Sequence, residues 1–176
     1  MFEELSPPYA TIVADPPWSY GADDQRWPHM PQTPGVWRRV ERKPIPYSTM
    51  DTAAIAALPV VELAARDCWL FLWATSRHLP DALSVIEAWG FVYRQVLVWR
   101  KTEFVVVAAR GKPPVASRLS SSVFEAQRSR HSRKPAVVLD GIERAVAGPY
   151  LELFARAPRL GWDSWGHGYE LGEVAS

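Results

Sequence analysis

The sequence contains one cysteine, Cys68, which excludes an intramolecular disulfide. It has no Gly-x-Gly-x-x-Gly fingerprint, no Walker loop, no nucleophile elbow and no Cys/His metal-ligand spacing, so we expect neither a hydrolase triad nor a metal site. No run approaches the roughly 18 to 20 apolar residues of a membrane span, and the Met-Phe-Glu-Glu start has the wrong charge for a secretory signal. A cytoplasmic protein without a membrane segment is therefore expected. The histidines are scattered, and each is predicted to be a surface or capping residue: His29, His78, His131 and His167.

A hydrophobic content of 48% in 176 residues is enough for one core, so residues 1–176 are expected to form a single domain. The formal net charge of +1 hides an uneven distribution. Residues 94–134 hold ten lysines and arginines against two acids, a formal charge of +8. A second basic cluster comprises Arg38, Arg39, Arg42 and Lys43. Such patches can contact nucleic-acid phosphates, but the charge distribution alone favours a solvated basic face.

Apolar runs of strand length alternate with helical spacing along the chain. The runs lie at residues 10–14, 69–74, 93–99, 104–109 and 150–155, and the helical patterns lie at 52–65, 79–89 and 135–146. The first helix has Thr49 or Asp51 as its candidate cap and is interrupted by Pro59. Segments 19–48 and 110–133 show no period and are predicted as long loops. The pattern predicts a parallel sheet with a hairpin return after its third strand, in an α/β, Rossmann-like three-layer sandwich.

A rigid polar turn, Asp15-Pro16-Pro17-Trp18, follows the first apolar run. Open α/β sheets bind their ligands at the carboxyl ends of such strands. Because proline has no N–H, the carbonyls of Asp15 and Pro16 are expected to lack local donors and to point outward as acceptors beside the Asp15 carboxylate. Such acceptors suit the two N–H groups of an exocyclic amine on a base that stacks on Trp18. The alternative is that Pro-Pro is ordinary turn punctuation and Trp18 caps the core.

Further segments follow this turn in a fixed order: residues 46–50, 69–75, 89–91, 98–102, 131–135, 142–144, 151–156 and 161–166. Together with residues 14–18, they resemble the motifs of the MT-A70 family of N6-adenine methyltransferases, in the order in which that family carries them. The resemblance runs through most of the chain. It implies a circularly permuted class I methyltransferase sheet and S-adenosylmethionine as the methyl donor.

The resemblance also implies roles for individual residues. Asp15 and the Pro16 carbonyl would hold the adenine amine, Pro17 would keep the turn rigid, Trp18 would stack the base and Tyr47 would line the same pocket. Lys134 would contact the cofactor carboxylate. The full set at cofactor-binding positions is Asp15, Lys134, Glu152, Arg156, Arg159 and His167.

The implied reaction is methyl transfer to the N6 amine of adenine in nucleic acid, with DNA favoured over RNA. A catalytically weak nucleic-acid-binding or partner module is one alternative, because residues 102–104 join two strands abruptly and His167 and Gly168 replace an Asn and a Gln of relatives. A cytosine N4 methyltransferase is another, since that amine offers the same donors. No separate target-recognition domain is evident, so target selection is expected to come from the two long loops, from a second subunit in a homodimer or from a partner subunit.

Overall fold

A computed structural model describes residues 2–20, 48–99, 103–117, 121–126 and 134–166. In these residues strands and helices alternate through most of the chain. The strands are β1 (Tyr9–Ala14), β2 (Ala64–Thr75), β3 (Val92–Trp99), β4 (Glu103–Arg110), β5 (Val123–Phe124), β6 (Tyr150–Leu153) and β7 (Trp162–Trp165). The helices are α1 (Thr52–Ala56), α2 (Val60–Leu63), α3 (Leu79–Ala88) and α4 (Ala136–Ala145). None of these helices has the length and apolar character needed to cross a bilayer.

The strands of the described residues form one sheet in the order β5-β3-β4-β2-β1-β6-β7. β1 is central and runs parallel to β2 and β6, and β7 runs parallel to β6. β4 is antiparallel to both β2 and β3, which confirms the hairpin return. The parallel prediction holds for the β1–β2 and β1–β6 pairs, and β4 is the antiparallel return that was expected. The physical reason is connection length: only residues 100–102 separate β3 from β4, too few for the crossover that a parallel pair requires.

The sheet is covered on both faces, which confirms the Rossmann-like three-layer sandwich. One face packs against α1, α2 and α3, with Ile55, Val60 and Ile86 in its core. The other packs against α4, with Val138 and Ile142 in its core. The turn after β1 precedes α4 and β6 in the chain, although β6 lies beside β1 in the sheet. This is the order that a circularly permuted sheet implies.

Several element boundaries differ from the sequence prediction. The helix expected at 52–65 is two short helices, α1 and α2, and its cap is Asp51, whose carboxylate accepts from the Ala54 N–H at 2.7 Å. β2 begins at Ala64, earlier than predicted. Its first residues include exposed polar side chains, so the apolar run from which the strand was predicted starts later. β5 lies inside the predicted loop 110–133, and β7 was not predicted as a strand. Most of the predicted loop 19–48 lies outside the described residues.

Candidate active site

Asp15 lies at the carboxyl edge of the sheet, directly after the central strand β1. Its backbone N–H donates to the carbonyl of Leu153 at 3.3 Å, which ties the residue to the end of β6. Its side chain is only 13% exposed. The carboxylate is therefore held in a sheltered position where three parallel strands end, the edge at which open α/β sheets bind their ligands.

Two charged side chains meet at this edge beside Asp15. The Lys134 ammonium lies 2.9 Å from Oδ1 of Asp15 and 2.9 Å from Oε2 of Glu103. Lys134 precedes α4, and Glu103 is the first residue of β4. Because β4 is antiparallel, its start lies beside Thr75 at the end of β2, which brings Glu103 to the same edge. The Lys134 ammonium also lies 5.2 Å from the centre of the Trp73 ring, within the range of a cation–π interaction.

The three groups form a largely buried cluster with two carboxylates and one ammonium, whose side chains are 13–19% exposed. Burial raises the pKa of Asp15 above its ordinary value, although the charge of Lys134 opposes this shift. Burial also works against a charged Lys134, but the Asp15 and Glu103 carboxylates raise its pKa above the ordinary value for lysine. Lys134 is therefore protonated at neutral pH, and Asp15 is a carboxylate of increased basicity.

Glu103 was missed by the sequence reasoning. The signal that could have found it is a single acid at the start of an otherwise apolar strand, facing the end of β3. This signal can be interpreted only when the strand order is known. The first residue of an antiparallel strand lies at the edge of the sheet where the parallel strands end.

The Pro-Pro turn is anchored by backbone hydrogen bonds. Met50 N–H donates to the Pro17 carbonyl at 2.8 Å, and Ser19 N–H donates to the Met50 carbonyl at 2.9 Å. The expectation that the Pro16 carbonyl lacks a local donor is wrong, because the Trp18 N–H donates to it at 2.8 Å. A carbonyl oxygen has a second lone pair, so the Pro16 oxygen retains the capacity to accept a ligand N–H.

Trp18 lies in the core below the turn and is 6% exposed. Its indole N–H donates to the Trp73 carbonyl at 3.0 Å. Its ring stacks on His78, with 5.4 Å between ring centres and 16° between the planes. The structure thus shows the arrangement in which Trp18 caps the core, and a role as a stacking platform for a base stays a prediction.

Two of the predicted cofactor residues, Glu152 and Arg156, are close to this edge. Glu152 lies on β6 and pairs in register with Val13 of β1. Arg156 follows the end of β6, and its charge lowers the pKa of Asp15, opposing the effect of burial. The backbone beyond β6 approaches the end of β7 closely: a Cβ at Gly166 would come within 2.8 Å of the Ala155 backbone. Glycine at position 166 lets these two segments pack together.

Arg159 is not brought to Asp15. Its guanidinium lies 2.6 Å from Asp140 and 2.9 Å from Glu143, both on α4, and it lowers the pKa of Glu143. Arg159 precedes β7, whose first residue, Trp162, pairs with the first residue of β6. Arg159 is therefore near the opposite edge of the sheet from Asp15, and its predicted cofactor contact has no support in this geometry. Tyr47 and His167 lie outside the described residues.

A three-layer α/β sandwich with a buried carboxylate and ammonium at the carboxyl edge of its central strands has the architecture of a Rossmann-like enzyme. The MT-A70 family model matches residues 9–112, which include the Asp15 turn and Glu103. The type II methyltransferase M.MunI of Mycoplasma sp. is 34% identical, over 90% of this chain and 76% of its own length.

The N(6)-adenosine-methyltransferase MT-A70-like protein of Arabidopsis thaliana is 27% identical over 90% of this chain but only 23% of its own length. The mouse N(6)-adenine-specific methyltransferase METTL4 is 26% identical, over 90% of this chain and 37% of its own. The chain belongs to the MT-A70 family, and it is a methyltransferase of the N6-adenine class.

Proposed function

We propose that this chain transfers a methyl group from S-adenosylmethionine to the N6 amine of adenine in DNA, and that the Asp15 turn holds the amine. The observation that carries the proposal is the buried Asp15 carboxylate, held at the sheet edge by Lys134 and by the backbone of β6. DNA is favoured over RNA because M.MunI, which the chain matches over most of its length, is a type II methyltransferase, whereas the adenosine methyltransferase of Arabidopsis is matched over 23% of its length.

The charged groups at the edge fit S-adenosylmethionine. Two carboxylates and one ammonium give the cluster a net charge of −1, which complements a ligand with a sulfonium, an ammonium and a carboxylate. An ammonium has three N–H donors, and two of those of Lys134 are directed at Asp15 and Glu103, so a third can serve the ligand carboxylate. Glu152 and Arg156 would hold the ribose. The cofactor supplies an electrophilic methyl group when it is bound.

Asp15 has two tasks in the proposed reaction. Its carboxylate accepts an N–H of the adenine amine together with the Pro16 carbonyl, which orients the nitrogen lone pair toward the methyl group. Such orientation supplies several kcal/mol of the rate enhancement in favourable cases. The nitrogen would become cationic as its bond to the methyl group forms and the methyl–sulfur bond breaks, leaving a neutral thioether, and it would then release a proton. The raised pKa of Asp15 makes this carboxylate a suitable acceptor of that proton.

The test is nucleoside analysis after incubation of the protein with S-adenosylmethionine and either a plasmid or total RNA. We expect N6-methyldeoxyadenosine from the plasmid and no methylated nucleoside in the matched Asp15→Ala reaction. N6-methyladenosine from RNA alone would overturn the choice of polymer, and N4-methylcytosine would overturn the choice of base. Calorimetric titration with S-adenosylhomocysteine tests separately whether the protein binds this cofactor. Absence of binding would contradict the proposal that S-adenosylmethionine is the methyl donor. A homodimer or a partner subunit that selects the target stays a prediction.

A further inference from the structure

His78 is a buried polar side chain that the proposed reaction does not use. It lies between the end of β2 and the start of α3 and is 3% exposed. It precedes the helix in the cap position, but its side chain makes no capping hydrogen bond. A buried imidazole costs free energy unless its nitrogens have partners, so its contacts show what it holds in place.

Both ring nitrogens of His78 are hydrogen-bonded. Nε2 lies 3.1 Å from the Ser19 carbonyl, and Nδ1 lies 2.9 Å from the Thr75 hydroxyl. A carbonyl can only accept, so Nε2 carries the hydrogen, and in the neutral ring Nδ1 accepts from Thr75. Burial lowers the pKa of His78 below its ordinary value, which keeps this neutral form at physiological pH.

The side chain of His78 contacts the residues that follow the Asp15-Pro16-Pro17 turn. Its ring stacks on Trp18, its Nε2 holds the backbone of Ser19, and its edge contacts the Tyr20 ring, with 4.8 Å between ring centres. The indole N–H of Trp18 also donates to the Trp73 carbonyl. His78 thus adds side-chain contacts to a segment that is also held by the Trp73 carbonyl and by the backbone bond from Ser19 to Met50.

We infer that His78 is a positioning residue, which fixes Trp18 and Ser19 and thereby the orientation of the Asp15-Pro16-Pro17 turn. Two components contribute: the hydrogen bond to the Ser19 carbonyl and the stack on the indole. The kinetic part of this inference rests on the proposed function. The structural part does not, because the mobility of Trp18 can be measured without turnover.

The kinetic test compares two substitutions of similar size. His78→Gln can place an amide N–H near the position of Nε2, whereas His78→Leu fills the space without a donor. We expect His78→Leu to lower kcat about 10- to 100-fold with little change in KM for S-adenosylmethionine, since small misplacements of reacting groups are costly. His78→Gln should recover most of the lost kcat. If His78 served packing alone, Leu would be equal to or better than Gln, and that ranking would overturn the inference.

The structural test is hydrogen exchange at the indole N–H groups, followed by NMR. The Trp18 signal is identified by its loss in Trp18→Phe, and Trp89 is the internal control, because its buried indole N–H also donates to a carbonyl, that of Ile55 at 3.1 Å. His78→Leu should accelerate exchange at Trp18 roughly tenfold or more and leave Trp89 unchanged. Ser84→Ala, at an exposed site on α3, should change neither exchange nor kcat.

Unchanged exchange at Trp18 in His78→Leu would overturn the inference even if methylation were affected. Absence of methylation by the wild-type protein on every nucleic acid would instead refute the proposed function, and the exchange measurement would still decide the role of His78.

Discussion

The ammonium of Lys134 lies 2.9 Å from Oδ1 of Asp15, although the two residues are far apart in the sequence. Asp15 follows β1, and Lys134 precedes α4. Glu103 adds a third, separate segment to the same cluster. The candidate site therefore exists only when the sheet and the α4 connection are formed. Three largely buried charges with a net charge of −1 are costly without a cationic ligand, so function and stability are expected to conflict here.

Replacing Asp15 by Asn should reveal that conflict. The substitution leaves Lys134 and Glu103 as a neutral pair and removes a carboxylate whose ionisation burial disfavours. We expect the free energy of unfolding at pH 7 to rise by about 1 kcal/mol, while kcat falls by at least about 100-fold because the amine loses its charged acceptor. Urea unfolding and methyl-transfer assays measure the two effects. A destabilised variant that retains near wild-type methylation would contradict both expectations, and Glu62→Gln, at an exposed site on α2, is the matched control.

The stability difference between Asp15→Asn and the wild type should depend on pH in a defined direction. The pKa of Asp15 is raised above the ordinary 3.8 in the folded protein, so the folded state binds this proton more tightly than the unfolded chain does. The corresponding stability of the wild type is present below 3.8 and is lost as the pH rises through the folded pKa. The advantage of Asn should therefore be small near about pH 4 and grow toward neutral pH. Urea unfolding of both proteins across this range tests the sign, and a difference that is largest in acid would refute it.

The part of the site that could be predicted from the sequence is the part that local pattern or family motif encodes. The apolar run of β1 predicted the edge that carries Asp15, and the motif resemblance identified Lys134, which the structure brings to it. Glu103 was missed because its position beside Asp15 depends on the strand order, in which the start of β4 lies next to the end of β2, and no local pattern specifies that order.

Other differences have equally local causes. β5 is two residues long, and β7 alternates aromatic and polar side chains, so neither forms an apolar run. Arg159 lies between the motif segments 151–156 and 161–166, and the direction of its side chain is set by Asp140 and Glu143 on α4. The prediction that His78 is a surface or capping residue is wrong, because the residue is 3% exposed and its side chain makes no capping hydrogen bond but contacts Trp18 and Ser19, which are distant in sequence.

Glu103→Gln should change the pH range in which the protein binds S-adenosylhomocysteine. Glu103 is one of two carboxylates that raise the pKa of Lys134, so its neutralisation lowers that pKa. Lys134 is proposed to hold the ligand carboxylate only while protonated, and the alkaline limit of binding should therefore move to lower pH. Calorimetric titrations from about pH 8 to 11 measure this limit, and the titration of the ligand's own groups is the same for both proteins. An unchanged alkaline limit would show that Glu103 does not act through Lys134. Glu87→Gln, at an exposed site on α3, serves as the control.

Arg159→Gln should affect stability rather than cofactor binding. The guanidinium of Arg159 joins the segment before β7 to α4 through Asp140 and Glu143, and these contacts are partly exposed to solvent. We expect the free energy of unfolding to fall by about 1 kcal/mol, the upper range for a partly exposed ion pair with good geometry.

The dissociation constant of S-adenosylhomocysteine should stay within about twofold of the wild-type value, because Arg159 is not near Asp15. A twofold change corresponds to less than about 0.5 kcal/mol of binding free energy. Arg144→Gln, at an exposed site on the same helix, controls for the loss of one positive charge. Unchanged stability with at least tenfold weaker binding would instead support the cofactor role that the family resemblance implies for Arg159. It would also mean that the ion pairs of Arg159 with Asp140 and Glu143 break when the ligand binds.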